Sequence, residues 1–192
     1  MKSIIAILII CITVFNAFAQ SIDKQTTPFM KMGYGYFNDE LMIDGKVLTS
    51  EVGIKLNTGY LFSLNMNFAD AVNDVANYPD IQNAGLNFIY SYKVVTLFVG
   101  YEFMTRNRRN SFIPMFGPFY SYQLTTSPLT TDDNKLELVK NVSENVGVNL
   151  ALQYLYNFKN GISVGLNASG SIAFQYGPMY YTVAPVISLK IE

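Results

Sequence analysis

Lys31, Glu51, Lys55, Glu102 and Lys190 each interrupt a run of alternating residues on the side otherwise filled by Gly, Ser, Asn and Ala. Opposite charges enclosed in a low-dielectric space must pair or change protonation, so these five are read as an interior charge network. Arg106, Arg108 and Arg109 form the one basic cluster. Their guanidinium forks suit bidentate contact with lipid phosphates, and they also suit a solvated turn. The acidic run Thr131-Asp132-Asp133-Asn134 with Glu137 offers oxygen ligands but lacks the glycine and ligand spacing of a calcium loop, so no metal site is expected. The chain has no histidine, which removes His-based acid–base catalysis, nucleophile activation and His metal ligation. No spacing points to a Ser-Lys or carboxylate-only mechanism. Neither a catalytic residue nor a cofactor is expected.

Charge narrows the partners further. With 13 Lys+Arg against 14 Asp+Glu and a net charge of -1, there is no basic stripe to neutralise phosphates, and nucleic acid is excluded as a partner. Half of the 192 residues are hydrophobic and only 14% are charged, against roughly a quarter in an average soluble domain. Residues 1–19 read as an export signal: Lys2, an apolar stretch from Ile4 to Phe15, then Ala17-Phe18-Ala19 as a small-x-small cleavage pattern. The single cysteine, Cys11, lies inside it. Cleavage before Gln20 leaves residues 20–192 as one cysteine-free domain.

These side chains need elements to position them, and the dominant signal for those elements is strict alternation, the period of a strand. Tyr60, Phe62, Leu64, Met66 and Phe68 interleave with Ser63, Asn65, Asn67 and Ala69. Val146, Val148, Leu150, Leu152, Tyr154, Tyr156 and Phe158 interleave with Gly147, Asn149, Ala151, Gln153 and Asn157. A soluble sandwich would carry Lys, Glu and Thr on its polar face. Here that face is small, as the inside of a narrow barrel requires, and the greasy aromatic face has only lipid to meet. Strands across a membrane must close on themselves, because lipid offers no partner to an open edge. The expectation is an all-β, closed, antiparallel up-and-down transmembrane barrel. Tyr60, Tyr90, Tyr92, Tyr154, Tyr156 and Phe158 are read as interfacial girdle residues.

Eight strands are expected, at about 29–38, 46–57, 59–69, 84–104, 111–125, 145–158, 161–174 and 180–192. Tight turns fall at Asn57-Thr58-Gly59 and at 157–161, with longer polar segments at 39–46, 70–83 and 125–145 and a short one at 175–179. Short turns at one end and long loops at the other are the outer-membrane pattern. The fourth segment is read with Leu86, Phe88, Tyr90 and Tyr92 outward, then with a change of phase near Lys93-Val94-Val95 that puts Leu97, Val99, Tyr101 and Phe103 outward. A bulge there keeps eight strands. A hairpin there makes ten, with 135–141 as the additional strand, and places the arginines at the opposite end.

The signal ending Ala-Phe-Ala-Gln, the opening Lys31-Met32-Gly33-Tyr34-Gly35-Tyr36 and the run Pro114-Met115-Phe116-Gly117-Pro118-Phe119-Tyr120-Ser121-Tyr122 resemble the small outer-membrane β-barrel domain family of Gram-negative bacteria, of the OmpX and OmpW type. That resemblance implies fold and location, with no shared chemistry to transfer. The function expected is a non-enzymatic outer-membrane barrel with a side-chain-filled lumen. Its loops would act in surface or protein–protein interaction, or it would serve as a subunit of a membrane complex. The partners expected are outer-membrane lipid, lipopolysaccharide and a protein of such a complex. The alternative is a narrow channel or small transporter for apolar or small solutes. A soluble lipocalin-like binder would need its apolar face inward.

Overall fold

The computed structural model describes residues 26–39, 44–72, 89–130, 136–175 and 177–191. The segment 1–19 and the acidic run 131–134 lie outside the described residues, as do Leu86 and Phe88. The strands are β1 (Thr26–Asp39), β2 (Asp44–Leu56), β3 (Tyr60–Val72), β4 (Ile89–Tyr101, continued past Glu102 by Phe103–Met104), β5 (Asn110–Thr130), β6 (Leu136–Asn157), β7 (Ile162–Ala173) and β8 (Gly177–Lys190). Each pairs antiparallel with the next, and β8 returns to pair with β1. The result is a closed eight-stranded barrel. Closure gives the membrane-facing ladder a hydrogen-bond partner on both sides of every strand.

The register fixes how steeply the strands lean. Stepping across paired residues from Pro28 through Ile54, Phe62, Val99, Phe116, Leu150, Gly170 and Tyr181 returns to β1 at Asn38, ten residues beyond the start. Ten residues of rise against eight inter-strand spacings give a tilt of about 40°. Small residues permit the close strand contacts this needs. A β-carbon at Gly117 would collide with the Leu97 carbonyl, and one at Gly165 with the Tyr154 carbonyl.

Outward side chains form a band bounded by aromatics. Tyr60, Phe103, Phe112, Tyr154 and Phe158 are exposed toward the tight-turn end, while Tyr36, Phe68 and Tyr181 are exposed toward the other. Tyr60 and Phe68, eight residues apart on β3, stand about 20 Å apart along the barrel axis, close to the apolar height of a membrane barrel. Lys93 is exposed at the upper edge of this band, paired across the ladder with Phe68 and Tyr122. There its stem can lie on apolar surface while its ammonium reaches water.

Three expectations are corrected. β4 has no change of phase: its ladder with β3 runs unbroken from Tyr60↔Tyr101 to Val72↔Ile89. Tyr90 and Tyr92 therefore share the inward face with Val94, Thr96, Phe98, Gly100 and Glu102, and both are buried. They are not girdle residues. The absence of a turn at Lys93-Val94-Val95 also removes the ten-stranded alternative. Next, most of the expected loop 125–145 is ladder, with β5 and β6 paired as far as Thr130↔Leu136. Residues 136–141 of that additional strand belong to β6, and Lys135 lies outside the described residues. The pairing of β4 with β5 ends at Tyr90↔Thr125 and that of β6 with β7 at Gly147↔Ala173, so this hairpin continues past its neighbours as a two-stranded ribbon. Finally, β8 starts at Gly177, ahead of the expected residue 180, and the ladder skips a residue between Ser171↔Tyr180 and Ile172↔Pro178.

Candidate functional site

The lumen is filled by side chains in layers, and the strand alternation decides which residues enter it. At the tight-turn end Lys55 on β2 donates to Glu102 beyond β4 at 2.6 Å. Glu102 is anchored by its own N–H donating to the Gly59 carbonyl. Lys190 on β8 is partly exposed in the wall of the same cavity. Above this charged mouth lies an apolar layer of Phe29, Leu61, Phe98, Ile113, Met115 and Leu155, closed by Ala151 and Val186.

Next comes a buried ion pair. Lys31 and Glu51 are direct partners across β1 and β2, and the Lys31 ammonium lies 3.0 Å from Glu51. Gln153, projecting from β6 on the other side of the lumen, accepts from Lys31 at 2.6 Å and donates to Glu51 at 2.7 Å. The three side chains form a ring, and the Lys31 ammonium also sits 4.3 Å from the centre of the Phe29 ring. A buried ion pair is tolerated when further hydrogen bonds satisfy it, and Gln153 supplies them.

Neutral amides and hydroxyls continue upward. Asn65 donates to Thr49 at 3.1 Å, while Asn149 donates to Thr96 at 3.2 Å and to the Tyr180 hydroxyl at 3.1 Å. Ser169 and Thr182 are bonded at 2.7 Å.

The loop end of the lumen is blocked by aromatic rings. Phe37, Tyr90, Tyr92, Phe119 and Tyr180 are each 1–4% exposed and belong to one cluster with Val47, Ala69, Val94 and Ala173. Phe37 lies 5.6 Å from Tyr92 and 5.8 Å from Tyr180, and Tyr92 packs edge-on against Tyr180 at 4.9 Å. An eight-stranded barrel is just wide enough for its own side chains, and these rings occupy that width.

All five expected lumen charges thus point into or line the lumen, but they divide into two groups separated by the apolar layer. Sequence reasoning placed Gln153 on the polar face without assigning it a role, and it missed the inward aromatics. A usable signal existed in β4: counting back from Glu102 by twos reaches Tyr92 and Tyr90.

The arginines are exposed in the turn between β4 and β5 and make no ion pair among the described residues. Thr105 and Asn107 hold that turn. The Asn107 carboxamide oxygen accepts from Thr105 Oγ1 at 2.6 Å and from the Arg109 N–H at 3.0 Å. Arg108 adopts φ 57, a left-handed conformation that is uncommon outside glycine. Among the described residues no group of three acidic, His or Cys side chains could hold a metal ion.

The fold is the one seen in small eight-stranded barrels of bacterial outer membranes. The chain is similar to a major outer membrane protein from Thermus thermophilus, with a TM-score of 0.65, 14% identity, and coverage of 86% of this chain and 99% of that one. It is also similar to Ail, the attachment invasion locus protein of Yersinia pestis, solved with the heparin analogue sucrose octasulfate. There the TM-score is 0.58 at 9% identity, with 87% and 99% of the two chains covered. Neisserial surface protein A gives a TM-score of 0.56 at 9% identity, over 86% and 97%. No family model matches the sequence, and no curated protein does. At these identities the likeness is one of fold.

Proposed function

We propose that this protein is a non-enzymatic barrel of a Gram-negative outer membrane, exported through its 1–19 signal, whose lumen is a structural plug and whose loop end does the work by contacting lipopolysaccharide or a protein partner. The observation carrying this reading is the aromatic layer of Phe37, Tyr92 and Tyr180, buried and in mutual contact across the lumen. A chain that fills its own bore has its surface left to work with. Below the rings, the cavity between the two charge groups measures only about 30 Å³, room for about two waters. That space favours a plug over a solute path.

Two surfaces support contact at the ends. The β5–β6 ribbon projects past its neighbours at the loop end, which in outer-membrane barrels is the external side. Arg106, Arg108 and Arg109 sit at the opposite end, so the phosphates within their reach belong to phospholipids of the inner leaflet, and lipid A is left to the loop end. The test is planar-bilayer recording of the refolded chain beside co-purification from native outer membranes. The expected result is no resolvable steady channel, together with a stoichiometric lipopolysaccharide or protein partner. Steady channels in the unaltered chain would overturn the plug.

A further inference from the structure

Among the described residues, the tight-turn mouth of the lumen holds one more positive charge than negative. Lys55 and Glu102 are paired at 2.6 Å, and Lys31, deeper in the same lining, is matched by Glu51. Lys190 has no ion pair among the described residues, although its side chain lines the cavity with Lys55 and Glu102. Its backbone is pinned there: the Lys190 N–H donates to the Gly161 carbonyl at 3.0 Å, and the residue pairs with Phe29 on β1. Two cations and one anion therefore meet at a half-enclosed mouth, where partial burial weakens the screening of like charge by water.

Size and access narrow what could balance them. About 30 Å³ is room for about two water-sized particles, and a halide fits it. Thr27 and Ser188 place hydroxyl groups in the same lining. The aromatic layer closes the loop end, and the partly exposed members of the lining, Thr27, Lys55, Asn157 and Lys190, lie at the mouth. We propose that this cavity is a binding site for a single halide-sized anion, physiologically chloride, held between Lys190 and Lys55 and entered from the tight-turn end.

The test compares thermal unfolding of the refolded full chain in sodium chloride and in sodium gluconate at matched ionic strength. Chloride should raise the melting temperature saturably, by about 2–4 °C. Lys190→Gln should abolish the difference, and Lys159→Gln, in an exposed turn, should preserve it. Glu102→Gln, which leaves both lysines and removes the competing carboxylate, should enlarge it. Crystals grown in bromide should show an anomalous peak between Lys55 and Lys190, a readout that does not depend on any variant folding. Equal melting in the two salts, a chloride effect that survives Lys190→Gln, or no bromide peak would each overturn the site.

Discussion

Lys31 and Glu51 face each other directly across β1 and β2, and the Gln153 amide bonds both of them from the far side of the lumen. Their side chains are only 5% and 2% exposed, so the pair is cut off from water. Removing one partner leaves an uncompensated buried charge, which typically costs about 3–5 kcal/mol, whereas exchanging both for apolar groups of similar volume is often close to neutral. Glu51→Leu should therefore destabilise the barrel by about 3–5 kcal/mol. Lys31→Met combined with Glu51→Leu should recover most of that loss. Urea unfolding in lipid vesicles, followed by the gel shift between folded and boiled samples, measures both. A double variant as weak as the single one would mean that the pair contributes through geometry and not through charge balance.

The aromatic layer should be the element that keeps the bore shut. Tyr92 and Tyr180 contact each other, Phe37 contacts both, and the Tyr180 hydroxyl is held by Asn149. Tyr92→Ala with Tyr180→Ala removes two rings from the constriction at a stability cost of about 3–5 kcal/mol per ring. The double variant should show resolvable conductance in planar bilayers where the parent shows none. A folded double variant that stays silent would place the seal lower, at the Lys31–Glu51–Gln153 ring.

Much of the barrel could be read from the alternation, because lipid on one side and a narrow lumen on the other impose opposite demands on neighbouring residues. Leu64 and Asn65 illustrate the rule, since Asn65 is buried in the lumen while Leu64 stays partly exposed on the outer face. The rule fails for tyrosine, whose ring suits a membrane interface and whose hydroxyl suits a polar lumen. Tyr90 and Tyr92 could therefore be assigned to the wrong face without any clash of chemistry. It fails again in the β5–β6 hairpin, whose ladder continues past the neighbouring strands, where the lipid that enforces the contrast between faces is no longer at hand. The ring closed by Gln153 joins β6 to β1 and β2 across the lumen. No pattern local to one strand encodes such a contact.

The depth of the outward residues is open to direct measurement. Leu64 lies midway along β3 between Tyr60 and Phe68, and Phe116 is reached from it by crossing β4 near Leu97 and Val99. Leu64→Arg and Phe116→Arg should each cost about 2–4 kcal/mol, while Tyr60→Arg near the boundary should cost about 0–1 kcal/mol. Equilibrium unfolding from vesicles gives all three values. Equal penalties along β3 would show that the apolar band is displaced from the positions between the aromatic rows.

The arginine turn and the ribbon lie at opposite ends of the barrel, which gives the orientation a clean test. Asn107 is exposed between β4 and β5, where its carboxamide organises the turn, and Lys140 is exposed on the part of β6 that extends past β7. If tight turns face the periplasm, as in outer-membrane barrels generally, a thiol at position 140 is accessible from outside the cell and one at 107 is shielded. The only native cysteine is Cys11, within the segment read as a removable signal, so a single introduced cysteine reports alone once that segment is cleaved. On intact cells a membrane-impermeant maleimide should label Lys140→Cys and leave Asn107→Cys unlabelled, and permeabilising the outer membrane should make both reactive. The reverse pattern would turn the barrel over, bring Arg106, Arg108 and Arg109 to the lipid A leaflet, and place the Lys55–Glu102–Lys190 mouth on the cell exterior.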